Sequence, residues 1–432
     1  MKSALQDLTN HVVGPGLNVT PEMVRVFFSA HGVSAESASL EREWSAVDRF
    51  LLQGDKVLLI DGWDQALCFE SKRLETRPVA EPETEPVVQG PREGTVEDLN
   101  KNVGMIRKRL QTPALKIQFF RAGGHSNTRI AYGYLDGVVD PAVLAEFERR
   151  LERCKGKGDI IDTSYIEELI EDQPLSPFPQ FRYTERTDTA AASMINGKIV
   201  LLVEGSGSIM ICPGLLFDLL QSSEDYYQRV LVSNFIRWLR FVALLIAISL
   251  PSIYIAISTF HTELIPTVLL LAIVDSREGI PFGAFVEAVI MVFFFELLKE
   301  AGIRLPRNVG SAVSIVGALV IGEAAINAGI ASPIMVVIVA LTGIASFSLP
   351  QYNLSIALRL IQFPLMALSS LLGGFGILLG YLFIWLHLVT LTSLGVPYLT
   401  PLAPWKAEQF RDTLVRNRLP ALIRRPRPPR ST

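Results

Sequence analysis

Three carboxylates, Glu287, Glu296 and Glu323, stand within stretches of sequence that are otherwise almost wholly apolar. At the centre of a bilayer an acidic side chain costs about 2.5–3.5 kcal/mol on the insertion scale, so such residues face a protein interior, a partner cation or a water-filled path. Glu296 lies three residues before Lys299 near the end of its stretch, where an interfacial ion pair with that lysine is the expectation. Glu287 is deeper and within reach of Arg277 from the preceding loop, which suggests a structural pair. Glu323 belongs to a pattern. Val313, Val316, Val320, Glu323 and Asn327 recur at helical spacing on one stripe, while Ser314, Ala318 and Gly322 form a separate small-xxx-small ridge suited to close helix packing. A helix that packs through its small ridge and turns valines and one carboxylate elsewhere meets the needs of a pore lining. Valines can gate by dewetting, and an acidic ring favours cations. The competing reading is a buried helix in which Glu323 is protonated or hydrogen-bonded to a neighbour.

No constellation for catalysis stands beside these carboxylates. There is no His-Glu-x-x-His, no nucleophile elbow and no Walker loop. The Gly-rich run Gly205-Ser206-Gly207-Ser208 sits in a hairpin pattern and opens no helix, and the five histidines are too dispersed to suggest a metal site. The sequence therefore reads as a non-enzyme needing no cofactor or metal. With 40 basic and 43 acidic residues the charge is near balance and points to no nucleic-acid partner. Cys68, Cys154 and Cys212 are too few and too scattered for a disulfide framework, which fits a reducing compartment.

The elements that position the carboxylates follow from a step in composition. Up to about Arg229 the chain is charge-rich; from Phe241 to about Leu391 it is apolar for most of its length. The expected architecture is an α+β cytoplasmic region over residues 1–230, possibly split near 85–95, then an all-α polytopic membrane domain over 231–392 and a basic tail over 393–432. Residues 1–50 read as helical and polar. Lys56–Ile60 with Gln65–Phe69 reads as a hairpin, a helix is capped at Thr95 or Asp98, strands cover 115–120 and 128–135, and a helix starts at Pro141. A last hairpin joins 198–203 to 208–212. Four spans are expected near 240–260, 281–298, 309–330 and 333–349, each close to the 20 or so residues that cross a 30 Å hydrocarbon layer. The region 361–391 is longer than one crossing needs, and Gly373-Gly374 interrupts it, so one tilted helix and a tight hairpin both fit. The ten-residue run Ile265–Val274 reads as re-entrant or interfacial. Basic clusters before the first span, between the second and third, and in the Arg416–Arg430 tail fall on one side if the crossings are even in number. The start Met1-Lys2-Ser3-Ala4 has no apolar core of a signal peptide, so both ends are expected in the cytoplasm.

Many ordered segments resemble the GerA family of spore germination proteins, A-type subunits in particular. They include Glu85-Pro86-Val87-Val88-Gln89-Gly90-Pro91-Arg92-Glu93-Gly94, Pro177-Phe178-Pro179-Gln180 with Thr184-Glu185-Arg186, and Gln221-Ser222-Ser223-Glu224-Asp225-Tyr226-Tyr227. In the apolar half they are Ser276-Arg277-Glu278-Gly279-Ile280-Pro281, Glu300-Ala301-Gly302-Ile303-Arg304-Leu305-Pro306-Arg307, and Gly395-Val396-Pro397-Tyr398 with Pro401-Leu402-Ala403-Pro404. The resemblance implies a subunit of a nutrient germinant receptor in the spore inner membrane, working with a transporter-like B-type subunit and a lipoprotein C-type subunit. It further implies a homo-oligomer that conducts monovalent cations. A nutrient or ion transporter and a non-conducting scaffold are the alternatives.

Overall fold

In the computed structural model, residues 38–52, 56–69, 80–154, 158–305, 317, 320–405 and 412–418 are described. Val313, Ser314, Val316 and Ala318 of the expected stripe and ridge lie outside them.

The first described unit is a three-stranded antiparallel sheet, β1 (Ala38–Glu41), β2 (Lys56–Leu58) and β3 (Ala66–Phe69), ordered β1-β3-β2, against which α1 (Trp44–Leu52) packs Val47. The β2–β3 hairpin follows the sequence pattern. Residues 38–41 do not, being a strand where a helix was expected: the free edge of β3 offers a ladder that a short polar segment satisfies better than a helix turn.

The N-terminal region is built on a second sheet. Its order is β4 (Leu115–Ala122), β5 (Thr128–Leu135), β7 (Ile199–Val203), β8 (Ile209–Cys212) and β6 (Arg182–Thr184), all antiparallel. The run Ile-Val-Leu-Leu-Val of β7 is buried at every position because both faces are covered. Ile199, Leu201 and Val203 pack under α3 (Pro141–Cys154) and α4 (Thr163–Ile170). Val200 and Leu202 pack under α2 (Leu99–Arg109) and α5 (Thr187–Ile195). Asp98 caps α2, accepting from the Asn100 and Lys101 amides, as the capping rule requires. Elements α4, α5 and β6 had no legible signal. The three cysteines are buried and form no disulfide.

The C-terminal half is helical. Its elements are α6 (Val230–Thr259), α7 (Thr267–Ser276), α8 (Ala284–Arg304), α9 (residues 320–327), α10 (Pro333–Phe347), α11 (Tyr352–Leu372) and α12 (Gly374–Thr390). Two of them, α6 and α11, are long and apolar enough to cross a membrane. Helix α8 has the length, but its five charged residues interrupt its apolar character. The 361–391 region resolves into the tight hairpin: Gly373 takes φ +60°, a turn that favours glycine, and α12 runs back along α11. Gly376 lies against the Leu368 carbonyl and Gly380 against the Leu365 side chain, so the small residues set the closeness of the pair.

A methyl group at Gly376 would collide with the backbone at Leu368, which cannot move aside as a side chain could. Gly376→Ala should therefore lower the melting temperature of the detergent-solubilised full chain, by an overpacking cost of about 1–3 kcal/mol. Gly104→Ala, a helix-interior change with open space around the new carbon, should leave it unchanged or raise it. Equal melting of the parent and Gly376→Ala would contradict the hairpin packing.

Candidate functional site

The three carboxylates of the apolar half occupy three separate places. Glu287 is fully buried on the first turn of α8. Its Oε1 accepts from the Ser332 amide at 2.7 Å and the Ser332 hydroxyl at 2.5 Å, and Arg277 Nη2 stands 3.6 Å from Oε2. Ser332 caps α10, accepting from the Met335 amide at 3.2 Å. The carboxylate is thus bonded to a helix N-terminus and faces an arginine. The pair expected with Arg277 is present.

Glu296 does not pair with Lys299. Its carboxylate is taken by Arg359 of α11, which joins α8 to α11. Lys299 instead lies with its Nζ 4.4 Å from the Phe347 ring centroid on α10, without a hydrogen-bond partner among the described residues. The physical reason is reach. The guanidinium of Arg359 arrives from a neighbouring helix as a planar charge-assisted donor, and Lys299 has an aromatic face to cover. Arg359 carried no sequence signal, because one arginine in an apolar run reveals a partner only when helix neighbours are known.

Of the stripe, Val320, Glu323 and Asn327 are exposed on α9. Gly322 and Ala325, on the opposite face, are buried, Gly322 against Val336 of α10. The described residues therefore divide the helix into a small-residue packing face and an outward face carrying the carboxylate.

The densest polar site joins the two halves. Asp225, 2% exposed, pairs with Arg240 at 2.7 Å and Arg237 at 3.2 Å on the first turns of α6. Arg237 also reaches Asp412 at 3.1 Å, and Arg416 donates to the carbonyls of Asp225 and Gln228 at 2.6 and 2.9 Å. The Tyr226 ring lies beneath both Arg237 and Arg416. Arg416, the first arginine of the C-terminal basic cluster, is thus buried.

Beside this network, Glu85 accepts from Gln351 Nε2 at 2.9 Å, bonds the Thr184 hydroxyl, and lies 3.9 Å from Arg182. Burial pushes its carboxyl up, against the pull of Arg182. Asp188 is held down by the Arg186 and Tyr227 hydrogen bonds, although burial opposes them. Further along the seam Ser393 donates to the Gln180 carbonyl at 2.6 Å, Tyr398 to the Pro179 carbonyl at 2.8 Å, and His387 meets Ser176 at 2.8 Å.

The molecule is an α+β region bolted through buried ion pairs onto apolar helices, two of which suit a bilayer. The chain belongs to the Bacillus/Clostridium GerA spore germination protein family, whose model matches residues 8–428. It is 44% identical over 394 residues to an uncharacterized membrane protein, YfkQ, of Bacillus subtilis, covering 91% of this chain and 77% of that one. It is 43% identical over 376 residues to spore germination protein KA of Bacillus subtilis, covering 87% and 69%. To spore germination protein GerLA of Bacillus cereus it is 41% identical over 366 residues, covering 84% and 74%. A crystal structure of the N-terminal domain of the A subunit of the Bacillus megaterium spore germinant receptor GerK3 aligns with 24% identity over 50% of this chain and 79% of its own, at a TM-score of 0.36.

One consequence of the α4 end of this seam is a pH dependence. Burial, with Glu167 and Glu168 close by, pushes Glu171 up to about 6. A carboxyl whose folded pKa is raised stabilises the fold fully below its unfolded value of about 4.3, and that contribution is lost as pH rises through 6. Glu171→Gln should flatten the melting temperature of the full chain between pH 4.5 and 6.5 and raise it at pH 7.5, relative to the parent. A parent and variant whose melting curves stay parallel across this range would remove Glu171 as the source.

Proposed function

We propose that this chain is the channel-forming subunit of a nutrient germinant receptor, and that it assembles with further copies so that Val313, Val316, Val320, Glu323 and Asn327 line a cation path. The nutrient would be sensed by a B-type partner, with a C-type subunit completing the receptor, and opening would release monovalent cations and trigger spore germination. The observation that carries this reading is the outward stripe of α9. A carboxylate exposed on an apolar helix whose small-residue face is already packed needs an aqueous or protein neighbour outside the single chain. A ring of such helices supplies one, with the valines as the constriction and Glu323 as the charge that prefers cations.

In this reading six segments cross the bilayer in alternation: α6, α8, the segment that ends in α9, α10, α11 and α12. Helices α10 and α12 have 15 and 17 residues, about 22 and 25 Å at 1.5 Å per residue, so the chain at their ends completes the crossing of a roughly 30 Å hydrocarbon layer. The even number returns the Arg-rich tail to the side of the N-terminal region. Cysteines replacing Ser71 and Ser431, in a background lacking the three native cysteines, should both be shielded from an impermeant thiol reagent applied outside. External labelling of Ser431→Cys with protection at Ser71→Cys would overturn the even topology.

Purified chain in planar bilayers should carry cation current. Glu323→Gln should lower its cation-over-anion preference without changing abundance, and Val320→Ala should raise resting leak, seen in spores as germination without nutrient. Saturable nutrient flux without current would mark a transporter, and neither flux nor current would mark a scaffold. Two variants indistinguishable from the parent in leak and selectivity would place the pore elsewhere.

A further inference from the structure

The near end of α8 holds one carboxylate between two cations. Glu296 is bound by Arg359 of α11, while Lys299, one helical turn along α8 from Glu296, has no anionic partner among the described residues. Residues three apart on a helix share a face, so Lys299 stands within reach of Glu296 through a change of rotamers alone. Its Nζ is enclosed and lies over the Phe347 ring. A cation–π contact compensates a buried ammonium only in part, being worth about 0.5–2 kcal/mol. A buried ammonium without a carboxylate, beside a carboxylate bound by another cation, is a site with two nearly matched pairings.

We propose that Glu296 is an exchange switch, held by Arg359 in the arrangement seen here and transferred to Lys299 when α8 separates from α11. The first pairing staples two helices together; the second lies within α8 and leaves α11 free. Each keeps one ion pair and one spare cation. On transfer Arg359 retains its contact with the Ser355 carbonyl and the Tyr352 ring, as Lys299 now retains Phe347. The exchange therefore costs far less than breaking a buried pair outright, which leaves an uncompensated charge.

The position of the switch gives it a consequence. Leu298, between Glu296 and Lys299, packs on Gly317, where a Cβ would stand only 2.8 Å from the leucine's Cδ2. Phe295, the residue before Glu296, fills the space left by Gly343 of α10 and lies against Phe347 at a centroid distance of 6.3 Å. A movement of this part of α8 is thus passed to the chain leading into α9. That the switch governs conduction rests on the channel reading; that Glu296 changes partners does not.

The test is pulsed electron–electron distance measurement on the full chain in lipid nanodiscs, with spin labels on cysteines at Ala301 of α8 and Leu360 of α11 and the native cysteines replaced. The parent should give a dominant short distance. Arg359→Gln should raise the longer-distance population at least about fivefold, the ratio at the upper end of what an exposed ion pair supplies. Arg359→Lys should restore part of the short population, and Lys299→Gln, which removes the competing partner, should deplete the long one below the parent. Should Arg359→Gln give no folded protein, Arg359→Lys and Lys299→Gln still have to move the population in opposite directions. Identical distributions in the parent, Arg359→Lys and Lys299→Gln, or shifts of both substitutions in the same direction, would overturn the switch. Ion flux recorded on the same samples separates the two readings. Opposite distance shifts with no flux in any sample retain the switch and sink the channel; flux with unmoved distances does the reverse.

Discussion

Asp225 is the residue on which the joining of the two halves depends. It lies in the short turn between the N-terminal sheet and the first long helix, and its carboxylate is shared by Arg237 and Arg240, one turn apart on α6. Three buried charges in one place persist only if each is paired, since removing one partner from such a group costs about 3–5 kcal/mol. The segment at Asp412–Arg416 completes the accounting, giving Arg237 a second carboxylate and capping the Asp225 carbonyl with Arg416. The direction in which α6 leaves the sheet is therefore fixed by ion-pair geometry, and every later helix packs on α6 or on a helix that does.

The same seam brings together several segments that are widely spaced in the sequence. Glu85 meets Thr184 and Gln351; Pro91 receives Arg186; Tyr227 lies under Gly90 and bonds Asp188; Tyr398 reaches back to Pro179. Each contact joins two segments that are far apart in the chain. None of them contains a catalytic geometry, and their shared property is that they meet between the sheet and the helices. A sequence reading sees them as separate motifs, because their proximity is created by the fold.

What was legible in the sequence is what local physics decides. The hairpins of β2–β3 and β7–β8, the capped helix at Asp98 and the apolar helices follow from alternation, capping chemistry and hydropathy. Of the expected stripe and ridge, the described residues show only that Gly322 is buried while Val320, Glu323 and Asn327 are exposed. The illegible part was pairing at a distance. Glu296 has Lys299 nearby in sequence, and nothing local says that Arg359, sixty-three positions on, arrives first. Helix α5 was hidden for a related reason: its run of Thr, Ala and Ser has little amphipathic pattern because nearly every side of it is buried.

The two ends of α8 give the helical half its mechanical logic. At one end Glu287 is bonded to Ser332, the cap of α10, immediately after the turn that follows α9. At the other, Leu298 presses on Gly317, which precedes α9. One helix therefore touches the stretch bearing Glu323 on both sides, by a charged bond at one end and an apolar contact at the other. The charged bond is directional and anchored to a helix terminus, so it resists displacement. The apolar contact has no preferred direction and yields more readily to sliding. A force applied along α8 from the seam would accordingly pivot the stretch about its Ser332 end and move its Gly317 end most.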